Sequence, residues 1–97
     1  MRTNVPRIIV MEFPLGRIVG TPGVLQQIPE SEMWAAIQRH AFQDWGDVCE
    51  DDRLANDEAL KKGDRLLSVY HSSEGTKFWV ITEWDRSATT VLLPEEY

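Results

Sequence analysis

The sequence predicts an α+β domain: short N-terminal strands, two to three helices, then a three-stranded antiparallel meander that the helices cover on one face. Three observations carry this reading. Met33, Trp34, Ile37 and Ala41 recur at three- and four-residue spacing, the signature of an amphipathic helix. After Gly63 the apolar period changes to two, as strands require. Turn residues (Ser72-Ser73-Glu74-Gly75, then Asp85-Arg86-Ser87) divide that second half into hairpin-sized pieces. Helices followed by strands place the chain in the segregated α+β class.

The elements follow in order. Arg7 to Phe13 is β-branched and apolar enough for a strand, interrupted by Pro14, and Leu15-Gly16-Arg17-Ile18-Val19 resumes the pattern. Thr21-Pro22 sets an N-cap residue before a proline in the first helical position, with Val24, Leu25 and Ile28 on one face of a short helix that Pro29 ends. Glu30 and Glu32 lie in the first turn of the next helix, over residues 30–43, where the helix dipole favours acids. Asp47 and Glu50 have capping-box spacing for a further helix that runs to Lys62, with Gly63 suited to the left-handed position past its end. In the meander, Leu66, Ser68 and Tyr70 oppose Leu67, Val69 and His71; Phe78, Val80, Thr82 and Trp84 oppose Lys77, Trp79, Ile81 and Glu83; Thr89 to Leu93 forms the last strand, stopped by Pro94.

Ninety-seven residues suit one folding unit, taken as residues 11–97, with 1–10 as an N-terminal extension and Met11 as an alternative start. Within the extension, apolar Ile8, Ile9 and Val10 suit an added strand or a homodimer contact. A hydrophobic fraction of 42% supports a packed core. The single Cys49 excludes an internal disulfide and fits a reducing compartment, and no apolar run approaches a bilayer span, so a cytoplasmic location with no membrane contact is expected. The formal net charge of −6 disfavours direct nucleic-acid binding. All of it is accounted for between Asp44 and Glu58, where seven acids meet one base, Arg53.

The candidate chemistry is sparse. His40 and Asp44, four apart at a helix end, could orient an imidazole for acid–base work, although a histidine there also suits the helix dipole alone. His40, His71, Glu83 and Arg86 together form the catalytic alternative, a metal-independent ribonuclease-like or other small hydrolytic enzyme on the antiparallel sheet. A metal site from His40, Asp44, Cys49 and His71 has no recognised ligand spacing, so neither metal nor cofactor is expected. Trp34, Trp45, Trp79 and Trp84 read as core, with Trp45, set in a Gly-flanked turn among acids, as the one suited to anchor a binding partner. The chain lacks a phosphate loop, a nucleophile elbow and a zinc-protease helix.

Phe13-Pro14-Leu15-Gly16, Thr21-Pro22-Gly23, Asp44-Trp45-Gly46-Asp47, Ile81-Thr82-Glu83, Asp85-Arg86-Ser87, Thr89-Thr90 and the closing Pro94-Glu95-Glu96-Tyr97 are the distinctive runs. Through them the chain, from near Met11 onward, resembles a family of small uncharacterised bacterial proteins carried near plasmid and integrative-element genes, whose members bear labels such as plasmid-related protein or restriction endonuclease subunit. The resemblance implies a genomic neighbourhood and no mechanism. The favoured expectation is an interaction module that presents Asp44, Trp45, Asp47, Glu50, Asp51 and Asp52 to a basic protein, and so inhibits a nucleic-acid-handling or defence protein.

Overall fold

The structure, a computed structural model, describes residues 13–97. The strand expected before Phe13 and the extension with its apolar run therefore lie outside the described residues. The elements are β1 (Arg17–Gly20), α1 (Pro22–Gln27), α2 (Glu30–Ala41), α3 (Glu50–Lys62), β2 (Leu66–His71), β3 (Lys77–Thr82) and β4 (Ala88–Leu92), closed by a 3-10 turn over Pro94–Glu96. The α+β class and the meander of β2, β3 and β4 are as predicted. The sheet itself differs: it has four strands in the order β1-β4-β3-β2, and β1 lies parallel to β4, with Ile18 opposite Thr89 and Gly20 opposite Val91. A parallel neighbour needs a long crossover, and here everything from α1 to β3 supplies it, so no local pattern announces the pairing.

Helix periodicity decides the core. α2 buries Met33, Ala36, Ile37, His40 and Ala41, one stripe at three- and four-residue spacing. Trp34 falls to the side of that stripe and is 51% exposed, and Trp84 is also exposed, so the expectation that they belong to the core fails for these two. The stripe packs with Val24 and Ile28 against Leu66, Tyr70, Phe78, Val80 and Val91, the inward positions of the period-two strands. On the opposite sheet face Ile81 and Leu92 are also buried, and Trp79 meets Tyr97 edge-on.

The start of α1 and the closing 3-10 turn are tied together by one carboxylate. Glu96 accepts from the Thr21 hydroxyl, from the Gly23 N–H at 2.8 Å and from the Leu93 N–H at 3.0 Å. Gly23 N–H is one of the unpaired donors at the start of α1, so the closing 3-10 turn caps the first helix, and these donors hold the Glu96 carboxyl below its ordinary range.

α3 starts at Glu50 with Cys49 in the cap position and no side-chain cap bond. The expected Asp47 capping box is thus absent, because Asp47 is committed elsewhere: its N–H donates to Val69 C=O at 2.7 Å and its carboxylate accepts from His71. The other end is as predicted, with Gly63 at φ 78° and its N–H on the Ala59 carbonyl.

These contacts seal one edge of the sheet. β2 is an edge strand, and its outward backbone groups would be open to another strand. Val69 N–H instead donates to Trp45 C=O, and Asp47 N–H donates to Val69 C=O. Leu67 N–H donates to the Asn56 Oδ1 at 3.1 Å, and Asn56 Nδ2 donates to Leu67 C=O at 2.7 Å. Asn56, the one buried residue of α3, thereby stands in for a neighbouring strand. Asn56→Leu keeps the volume and removes both bonds, leaving Leu67 two unpaired backbone groups; at about 1–3 kcal/mol per stranded group, a loss of about 2–6 kcal/mol is expected in urea unfolding. Asn56→Asp, which keeps the acceptor, should fall between the two.

Candidate functional site

Among the expected catalytic residues, His40 has the most structured surroundings, and they are those of a core residue. It is fully buried, held edge-on to Phe13 and to Trp45. Its Nδ1 lies 2.6 Å from Ser68 Oγ and its Nε2 lies 2.9 Å from Thr82 Oγ1. Thr82 Oγ1 is 2.7 Å from Thr89 Oγ1, and Thr89 donates to Leu15 C=O at 2.7 Å. Proton accounting orders the chain, since each hydroxyl has one hydrogen to give. Thr89 gives its hydrogen to Leu15, so Thr82 must donate to Thr89. Thr82 then accepts from His40 Nε2–H, and Nδ1 accepts from Ser68. The imidazole is the neutral Nε2–H tautomer, and burial, reinforced by the nearby Arg86 charge, pushes its pKa down to about 3. A base this weak in a sealed site takes no proton from substrate near neutrality. The expected His40–Asp44 pair does not form, because Asp44 is held by Arg39 through Nε at 2.7 Å and Nη2 at 3.1 Å.

The other three members of the catalytic alternative are dispersed. His71 closes β2 opposite Lys77, whereas Glu83 follows Thr82, which lies opposite Leu66 at the far end of the same ladder. Five strand steps, about 17 Å, separate those ends. Arg86 sits in the turn between β3 and β4 and spends its guanidinium on backbone, with Nη1 on Asp64 C=O at 2.6 Å and Glu83 C=O at 3.0 Å and Nη2 on Ala59 C=O at 3.4 Å. It caps the C-terminal end of α3, where a cation is favoured, and is not presented to a phosphate. No shared concave site joins His40, His71, Glu83 and Arg86.

The expected binding residues are closer together and divide into two kinds. Trp45 is 3% exposed, stacked on Phe13 with its indole N–H donated to Asp57 at 2.9 Å. It is therefore a core anchor for α3 and cannot itself reach a partner, which corrects the expectation of a surface tryptophan. Asp44 and Asp47 are exposed but engaged with Arg39 and His71 respectively, and Arg39 holds the Asp44 carboxyl below its ordinary range. Glu50 and Asp57 are bridged by Arg53 along α3. Asp51 and Asp52 are exposed and, among the described residues, make no ion pair. One turn further along α3, Leu54 is 52% exposed, with Glu58 four residues beyond it and loosely paired to Lys62 at 3.7 Å.

Sequence reasoning missed Arg39, Arg53 and Asn56, which respectively neutralise, bridge and anchor this region. Local spacing offered a signal for one of them: Arg53 is three residues after Glu50 and four before Asp57, the separations at which helical side chains meet. Among the described residues, no three His, Cys, Asp or Glu side chains converge where a metal ion could sit. No protein-family model matches this chain, and no curated protein or solved structure matches it either.

Proposed function

We propose that the chain is a cytoplasmic protein-interaction module that receives a basic, nucleic-acid-handling partner on the outer face of α3. One observation carries this reading. α3 meets the rest of the fold through Asn56, Ala59 and Leu60, and on its other side Asp51 and Asp52 stand free beside half-exposed Leu54. Carboxylates repeated along a helix attract a cationic surface and speed its approach, while an apolar side chain among them supplies the desolvated contact that charge alone lacks. The net charge of the whole chain, −6, equals that of residues 44–58, which concentrates the field on this side.

The test is capture by the full chain from a bacterial lysate, compared with Asp51→Lys/Asp52→Lys. Both side chains lie off the core, so circular dichroism of the variant should match the parent. A basic protein held by the parent should be lost at least tenfold by the variant and should elute with rising salt. Equal retention by the two chains defeats the proposal. Leu54→Glu provides an independent check, since it adds negative charge yet should weaken a contact that needs the apolar side chain.

A further inference from the structure

The two edges of the sheet are built differently. The β2 edge is closed by Asn56 and by the Trp45–Asp47 segment, as described above. Among the described residues, the β1 edge has β4 as its sole strand neighbour. Arg17 N–H donates to Ser87 C=O at 3.0 Å and Thr21 N–H to Val91 C=O at 3.1 Å, so the odd-numbered residues of β1 turn their backbone groups toward β4. By alternation Ile18 and Gly20 turn theirs outward. Beside this edge lies an apolar groove of about 210 Å³, bounded by Ile18, Gly20 and Leu25 on one side and Met33, Trp34 and Ile37 on the other. Ile18, Leu25 and Trp34 are all exposed, Leu25 to 59%. Side chains of that size side by side form a patch of the kind that monomers seldom leave uncovered.

We propose that the β1 edge joins two copies of this chain, antiparallel about a twofold axis at Val19, to make a continuous eight-stranded sheet. Register follows from which groups point outward. In an antiparallel ladder the residues that exchange backbone bonds must both face out, so Ile18 pairs with Gly20 of the second copy and Gly20 with its Ile18. Val19 then meets Val19 across the axis as the close, non-hydrogen-bonded pair. Ile18 and Gly20 share the helix-covered face, because they lie level with buried Thr89 and Val91 on β4. Each Ile18 therefore lies across from the other copy's Gly20, where the Leu25 side chain comes within 3.0 Å of a built Cβ, and packs against that Leu25 and Trp34 at the mouth of the groove.

Charge selects the same edge for self-association. Asp44 to Glu58 carries a net −6, while the rest of the chain balances nine acids with nine Lys and Arg. The acidic helix α3 lies against β2, at the opposite edge from β1. Joining the β1 edges puts the two charged helices at the ends of the assembly, where salt screens their repulsion; joining the β2 edges would force them together. Arg17 falls opposite Thr21 of the second copy, so no like charges oppose each other in the ladder.

Sedimentation velocity of the full chain should give twice the chain mass, and Val19→Lys, which opposes two ammonium groups at the axis, should sediment as a folded monomer. A parent that stays monomeric at 0.1 mM, roughly the weakest affinity worth calling an assembly, overturns the proposal, whether the edge is then covered by residues 1–12 or awaits another protein's extended segment. So does a dimer that persists in Val19→Lys. Register is read by oxidation in a Cys49→Ser background. Val19→Cys should cross-link nearly completely, because the close pair sets Cα atoms about 4.5 Å apart, within disulfide range. Ile18→Cys, facing Gly20, should cross-link at least tenfold less. Equal cross-linking of the two overturns the pairing.

Discussion

Gly46→Ala is expected to cost about 2–5 kcal/mol. Gly46 has φ 77°, and a Cβ built there would lie 2.0 Å from the Val69 carbonyl oxygen and 2.8 Å from the Tyr70 ring. A left-handed alanine costs roughly 1–2 kcal/mol, and overpacking a close contact adds roughly 1–3. The obstacle is backbone, so relief requires Trp45 and Asp47 to lift from β2, which breaks the two bonds to Val69 that close the edge. Gly63→Ala is the control. Its φ of 78° is the same, but nothing lies within 4 Å of the added carbon, so only the conformational cost, about 1–2 kcal/mol, should appear. Urea midpoints of the two variants measure the difference. If they coincide, the close approach at Gly46 is not resisting the methyl.

A stability loss of about 2 kcal/mol is expected between pH 7.5 and pH 5, with His40 as its source. The folded imidazole titrates near 3 and the unfolded one near 6.5. Above 6.5 neither state is protonated and the stability is complete. As the pH falls through 6.5 the unfolded chain binds a proton that the native core refuses, so stability declines by about 1.4 kcal/mol per unit, reaching about 4 kcal/mol by pH 3. The carboxylates whose pKa values are lowered, Glu32, Asp44, Glu50, Asp85 and Glu96, contribute stability that is lost only as the pH drops through their unfolded values near 4. The interval from 6.5 to 5 lies above the range in which these carboxylates act. His40→Gln keeps a donor and an acceptor without titrating; its stability should be lower at every pH but flat across that interval. A slope equal to the parent's would place the proton elsewhere.

Much of the fold was legible because its signals are local. The α2 stripe, the Thr21-Pro22 helix start, the left-handed Gly63 and the alternation of Phe78, Val80 and Thr82 against Trp79 and Ile81 each depend on residues a few positions apart. What was hidden depends on distant partners. Asp47 and Glu50 had capping-box spacing, but His71 and Val69, more than twenty residues away, took Asp47 instead. β1 read as a strand, yet its parallel seat beside β4 is fixed by residues some seventy positions on. The site was harder still. His40 looked like a helix-end histidine, although it falls seven residues after Met33 and three after Ile37, squarely on the buried stripe. Ser68, Thr82 and Thr89 occupy inward strand positions as well. Three hydroxyls and an imidazole at the same spacings as the apolar residues were the available signal for a buried hydrogen-bonded chain, and it was obscured because threonine is a favoured strand residue in any case. Trp45 misled for a related reason: a glycine-flanked tryptophan among acids suggests exposure, but the Gly46 turn is what folds it beneath the surface.

The seat of β4 also governs the order in which the molecule can assemble. It lies between β1 and β3, so the last strand in the chain is an interior one. Until it arrives, β1 has no strand neighbour among the described residues, the inward face of β3 lacks the Thr89 and Val91 side, and the His40 hydroxyl relay ends at Thr82. The helices and the β2–β3 hairpin can form from nearby residues, but the barrier should be dominated by closing the loop from Thr21 to Val91, with its two tethers through Leu15 and Glu96. A chain whose β4 has not yet docked carries an unfinished core and completes it in one step, which makes the period before β4 docks the interval of greatest risk for misassociation.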